Sequence, residues 1–159
     1  MNWFVQFIAD TLVIPLVLVG AIAIFRLPLA QKWQAIVRGT LMAVTALWFA
    51  KIASLMYQGV RPFEQLGVAP GASFLPNPGF PSDHALLVFV VVAVVWASTR
   101  NWRLSLVLLI AGVLVATGRV LALVHSIPDV LGSMVCVILA SLVWYGSRGL
   151  TTQKTSLQK

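Results

Sequence analysis

Residues 104–124 read LSLVLLIAGVLVATGRVLALV, and residues 125–129 continue as HSIPD. The first stretch is long enough to cross a bilayer, because a helix rises about 1.5 Å per residue and the hydrocarbon core is about 30 Å thick. Its one charged side chain, Arg119, stands near the end of the run. A guanidinium in an apolar span is costly unless it meets an anion or lines a polar cavity. The run closes on His125. Pro128 then suits the first turn of a new helix, and Asp129 shares that turn.

Similar runs flank this one. Trp3 to Phe25 is a candidate span; it contains Pro15 and Asp10, which calls for a partner. A second runs from about Ile36 to Tyr57. A third opens at Pro81-Ser82, with Ser82 as helix N-cap, and continues through Ala85 to Ala97. The fourth is Leu104 to Val124, and the last runs from Ile127-Pro128 to Tyr145. The expected fold is an all-α polytopic membrane bundle of about five transmembrane helices. Residues 1–150 form one membrane-embedded domain, and 151–159 form a polar tail. The first run lacks the basic start of a cleaved signal peptide and is too long for one.

Composition agrees. The chain has 159 residues, 60% of them hydrophobic and 9% charged, too apolar for a water-soluble exterior. Its net charge of +7 does not mark a nucleic-acid binder, because the cations are spread through short junctions. The single cysteine, Cys136, excludes a disulfide within the chain and reads as packing. Gly112, Gly118, Gly132 and Ser133 permit close helix contact, and Trp3, Trp48, Trp102 and Trp144 suit interfaces or packing. There is no internal repeat. Residues 58–80 are dense in Gly and Pro, which predicts a shaped loop or a short surface helix.

Charge predicts an orientation. Arg26, Lys32, Arg38, Arg100, Arg103, Arg148, Lys154 and Lys159 all fall on one side of a five-span chain, which the positive-inside rule makes cytoplasmic. The N-terminus, the 58–80 loop and the ends bearing His84 and His125 then face outward.

On that face the polar residues converge. Lys51 and Arg61 belong to the second span and its loop, Ser82, Asp83 and His84 open the third, and Arg119, His125 and Asp129 bracket the fourth junction. Phosphoryl transfer needs residues of these types. Arginine and lysine neutralise phosphate oxygens, and the free N–H groups at a helix start add donors, as can Ser82. A neutral imidazole can attack phosphorus, a second can protonate the leaving oxygen, and a carboxylate can orient the first. The set requires no metal and no cofactor.

These segments resemble the type 2 phosphatidic acid phosphatase superfamily, a family of membrane lipid phosphatases with a chloroperoxidase-like core. The resemblance rests on Lys51 with Arg61-Pro62, on Pro81-Ser82-Asp83-His84, and on Gly118-Arg119 followed at the family spacing by His125 and Asp129. It covers about residues 51–131. It implies that His125 is the nucleophile, Asp129 its partner and His84 the acid–base group, with Lys51, Arg61, Arg119 and Ser82 holding phosphate. The Pro-Ser-Asp-His variant is similar to the bacitracin-resistance type of undecaprenyl-diphosphate phosphatase. The implied substrate is a polyprenyl diphosphate in a bacterial inner or plasma membrane, with phosphatidylglycerol phosphate, phosphatidic acid and lipid A as alternatives. A catalytically inactive phospholipid-binding relative is a further alternative. Membrane lipids are the expected surroundings, and no obligate protein partner is implied.

Three features depart from the family. Lys51 precedes Arg61 by ten positions, and Ser54 occupies the family's lysine position. Gly118 stands where the family has serine, and five spans replace the usual six.

Overall fold

The computed structural model describes residues 3–76 and 79–145. The described residues form helices and loops without strands, and the polar tail expected at 151–159 lies outside them. Five long helices make up the bundle: α1 (Trp3–Phe25), α2 (Leu29–Met56), α4 (Asp83–Thr99), α5 (Trp102–Leu121) and α6 (Ile127–Tyr145), with a single-turn helix α3 (Pro62–Gln65) in the loop between α2 and α4.

Four of the five expected spans, α1, α2, α5 and α6, are long and apolar enough to cross a membrane. The remaining helix, α4, has 17 residues, about 25 Å at the rise of an α-helix. Its place in the bundle explains its character. It packs against α1, α2, α5 and α6, so it is apolar all round and buries Ala85, Leu86, Val88, Phe89, Val90 and Val95. The outer helices instead present large apolar side chains outward, among them Leu18, Ile22, Leu47, Trp48, Val107, Ile110, Val135 and Leu142. Such a surface suits a lipid solvent.

Helix α2 begins earlier than the apolar run, at Leu29 behind Pro28, and takes in the polar Gln31, Lys32 and Gln34 ahead of it. Its 28 residues span about 42 Å, more than a bilayer core. The α4–α5 connection is tight. Arg100 adopts a left-handed conformation (φ 56°), and the Asn101 side chain accepts the Leu104 N–H at 3.1 Å to cap α5.

Helix α1 is not uniform. Phe7–Thr11 form one π-helical turn, in which the Leu12 N–H reaches back to the Phe7 carbonyl at 3.1 Å. Pro15 follows and has no N–H to give to Thr11 four residues earlier, so the ladder is interrupted just after the widened turn. That turn carries Asp10.

The loop after α2 folds back onto the end of α5. Carbonyls of three consecutive residues there accept from it: Ala122 from the Gly71 N–H (2.9 Å), Leu123 from the Phe63 N–H (3.0 Å) and Val124 from the Arg61 guanidinium (2.8 Å). Leu123 takes a positive φ of 60°, which turns the chain at the end of α5. A small apolar cluster of Ala9, Phe63, Ala72, Ala122 and Val124 seals this end beneath the loop.

Candidate active site

The start of α6 positions His125 and Asp129. Ser126 and Asp129 form a Ser-x-x-Asp capping arrangement in which Asp129 Oδ2 accepts the Ser126 N–H at 2.6 Å. His125, held just before this cap, is buried at 4% exposure. Its Nδ1 lies 2.8 Å from the Gly79 carbonyl oxygen and 3.6 Å from Asp129 Oδ2. A carbonyl oxygen can only accept, so Nδ1 carries the proton, and in the neutral imidazole Nε2 keeps its lone pair. Asp129 sits at ion-pair range, beyond hydrogen-bond length. The tautomer-setting contact is therefore the Gly79 carbonyl, a partner that the sequence does not advertise.

The start of α4 joins the same centre. Ser82 is fully buried, and its hydroxyl accepts the Ala85 N–H at 3.5 Å as the N-cap. Its own N–H donates to the Asp129 carbonyl at 3.2 Å. The Ser133 hydroxyl bridges the carbonyls of Ser82 (2.8 Å) and Asp129 (3.0 Å). These bonds lock the first turn of α4 against that of α6. His84 follows Ser82 and is half-buried, within electrostatic reach of Arg119, Asp10, His125 and Asp83.

Both arginines are buried. Arg61 is 5% exposed, donates to the carbonyls of Val124 (2.8 Å) and Leu75 (3.1 Å), and lies over the Phe74 ring at 5.3 Å from its centroid. Gly79 gives it room, since a Cβ there would stand 3.2 Å from Arg61 Cγ. Arg119, near the end of α5, is 1% exposed. Its Nη1 donates to Asp10 Oδ1 at 2.7 Å and its Nη2 to the Ser73 carbonyl at 2.7 Å, while Nε has no hydrogen-bond partner among the described residues. A buried N–H left unpaired is costly, so Arg119 Nε is a donor waiting for an acceptor.

The structure thus brings Arg61, Ser82, His84, Arg119, His125 and Asp129 to one end of the bundle. Lys51 is placed differently: it is exposed on α2, it forms no ion pair with a described residue, and its carbonyl accepts the Ser54 hydroxyl at 2.8 Å. Asp10, read from sequence as a structural residue in want of a partner, is the carboxylate that meets Arg119. The signal was its position inside an apolar span, where an unpaired charge is not tolerated.

An apolar cavity of about 640 Å³ lies elsewhere, lined by residues of α4, α5 and α6 such as Phe89, Trp96, Leu109, Val137 and Tyr145. None of the residues gathered at the His125 end of the bundle lines it.

The cluster offers buried donors for an anion, one imidazole with a defined free nitrogen, and a second imidazole nearby. A family model described as the PAP2 superfamily matches residues 39–151, which include every residue of the cluster except Asp10 and the rest of α1. Neither the curated proteins nor the solved structures give a match.

Proposed function

Because this chain belongs to the PAP2 superfamily, membrane phosphatases acting on lipid-type substrates, we propose that it removes the terminal phosphate of undecaprenyl diphosphate at the extracytoplasmic face. The observation that supports phosphoryl transfer is the state of His125: its Nδ1 is engaged by the Gly79 carbonyl, which leaves Nε2 available to act as a nucleophile at the end of the bundle where Arg61 and Arg119 are buried.

In the proposed reaction His125 Nε2 attacks the terminal phosphorus in line with the bridging oxygen. The P–O bond to the lipid monophosphate breaks, and His84 gives that oxygen a proton. Arg119 and Arg61 balance the charge on the non-bridging oxygens, with Ser82 as a further donor. His84, now a base, takes a proton from water, and the water attacks phosphohistidine to release inorganic phosphate. Asp129 stabilises the positive charge that His125 acquires. No step requires a metal. The Pro81-Ser82-Asp83-His84 variant supports the polyprenyl diphosphate over other lipids.

A substrate panel tests the proposal. Purified protein in detergent with a chelator present is expected to release phosphate from undecaprenyl diphosphate faster than from phosphatidylglycerol phosphate, phosphatidic acid or lipid A. A different preferred lipid would replace the substrate but keep the chemistry. Binding without turnover across the panel would identify an inactive relative.

The outward orientation rests on the cationic junctions and has its own test. In intact cells a membrane-impermeant thiol reagent is expected to label Ala69→Cys in the exposed loop and to spare Thr151→Cys. The native Cys136 is buried and contributes little background. The reverse pattern would overturn both the topology and the substrate face.

A further inference from the structure

We propose that Asp10 is a positioning residue for Arg119, and that position 118 is glycine so that Asp10 can reach it. The inference rests on the reading of Arg119 as a phosphate ligand. Three observations on two helices carry it.

First, Asp10 and Ser73 hold the guanidinium by its two terminal nitrogens. Asp10 Oδ1 takes Nη1, the Ser73 carbonyl takes Nη2, and Asp10 Oδ2 accepts the Ser73 N–H at 2.9 Å. The carboxylate, the loop and the arginine form a closed ring of hydrogen bonds, which fixes the plane of the guanidinium. Second, the nitrogen left over is Nε, buried and without a partner among the described residues. The large majority of buried donors in folded proteins are satisfied. Here one is held in reserve in a plane that Asp10 sets. Third, the approach of α1 depends on Gly118. A Cβ at 118 would stand 2.9 Å from the Ala9 nitrogen, 3.1 Å from Ala9 Cα and 2.8 Å from Ile8 Cγ1. Two of these are backbone atoms of the π-helical turn that presents Asp10, and they cannot rotate aside.

The residue that departs from the family's serine is therefore coupled to a carboxylate outside the matched region, in a helix that brings Asp10 to the phosphate-binding arginine. The first span thereby does more than anchor the chain: it is a working part of the site, acting through Arg119 without touching the substrate.

The test compares Asp10→Asn, Gly118→Ala and the double variant in the full-length protein. It measures kcat and KM for the best lipid of the panel, and the inhibition and binding constants of inorganic phosphate. A change that merely lowers the folded fraction reduces kcat and leaves KM and the phosphate constants untouched. A misplaced Arg119 weakens phosphate itself. The expected result is a fall in kcat/KM of at least about 10-fold in each single variant, with the phosphate constants weakened in step. The double variant is expected to be no worse than the weaker single variant, because both act through one guanidinium. Unchanged phosphate constants in both single variants, or a double variant at the product of the two losses, would overturn the inference while leaving the proposed function intact. Conversely, a wild-type chain without turnover whose phosphate binding still depends on Asp10 would overturn the function and keep the inference.

Discussion

Replacing His125 by alanine is expected to lower phosphate release by at least about 10³-fold, since the covalent route disappears with its nucleophile. The side chain is buried and hydrogen-bonds the Gly79 carbonyl; alanine removes that bond and the charge facing Asp129, whose carboxylate keeps the Ser126 N–H. The protein should remain folded, and a thermal melt in detergent checks that. Brief incubation of the wild type with ³²P-labelled lipid diphosphate followed by alkaline quench should trap an acid-labile phosphoprotein that His125→Ala does not form. Turnover that survives in the alanine variant would reduce His125 to a binding residue. Asp129→Asn is expected to be milder. Asparagine still offers an oxygen to the Ser126 N–H, so the start of α6 keeps its cap. Where a carboxylate alone sets the tautomer of a catalytic histidine, its loss costs about 10⁴-fold. Here the Gly79 carbonyl sets it, and Asp129 acts by charge from 3.6 Å, so the loss should fall short of that.

Replacing His84 by alanine should cost about 10²- to 10⁴-fold, the range for a positioned general acid or base. The informative quantity is its dependence on the leaving group. A lipid diphosphate expels a phosphate monoester, which leaves readily with little protonation. Phosphatidic acid expels an alkoxide, which needs the proton far more. The penalty for His84→Ala should therefore be larger on phosphatidic acid than on undecaprenyl diphosphate, and the phosphoenzyme should accumulate because water activation is also lost. An equal penalty on both lipids would assign His84 to phosphate binding instead. It stands in the first turn of α4, within electrostatic reach of Arg119 and His125.

Much of this was legible in the sequence. Apolar run length identified the four helices long enough to cross a bilayer, because the bilayer thickness is a fixed ruler. The bounds of α1 and α6 match the runs read from it, and Ser82 caps α4 as its residue type predicts. The order and spacing of Arg61, His84, Arg119, His125 and Asp129 carried the family, since a phosphoryl group restricts the residue types that can serve it. Tertiary structure decided what spacing cannot express. Partners from remote segments become visible only when helices pack: Gly79 supplies the carbonyl that fixes the His125 tautomer, and a backbone oxygen has no signature in sequence. The pairing of Asp10 with Arg119 spans 109 positions and depends on Gly118 admitting a π-helical turn. α4 needed the fold to explain it too, because its all-round apolarity reflects enclosure by four other helices. Sequence supplied the reactive groups and the solvent they live in; helix packing chose which hydrogen bonds hold them, because those bonds form between chain segments that only folding brings within 3 Å or so of each other.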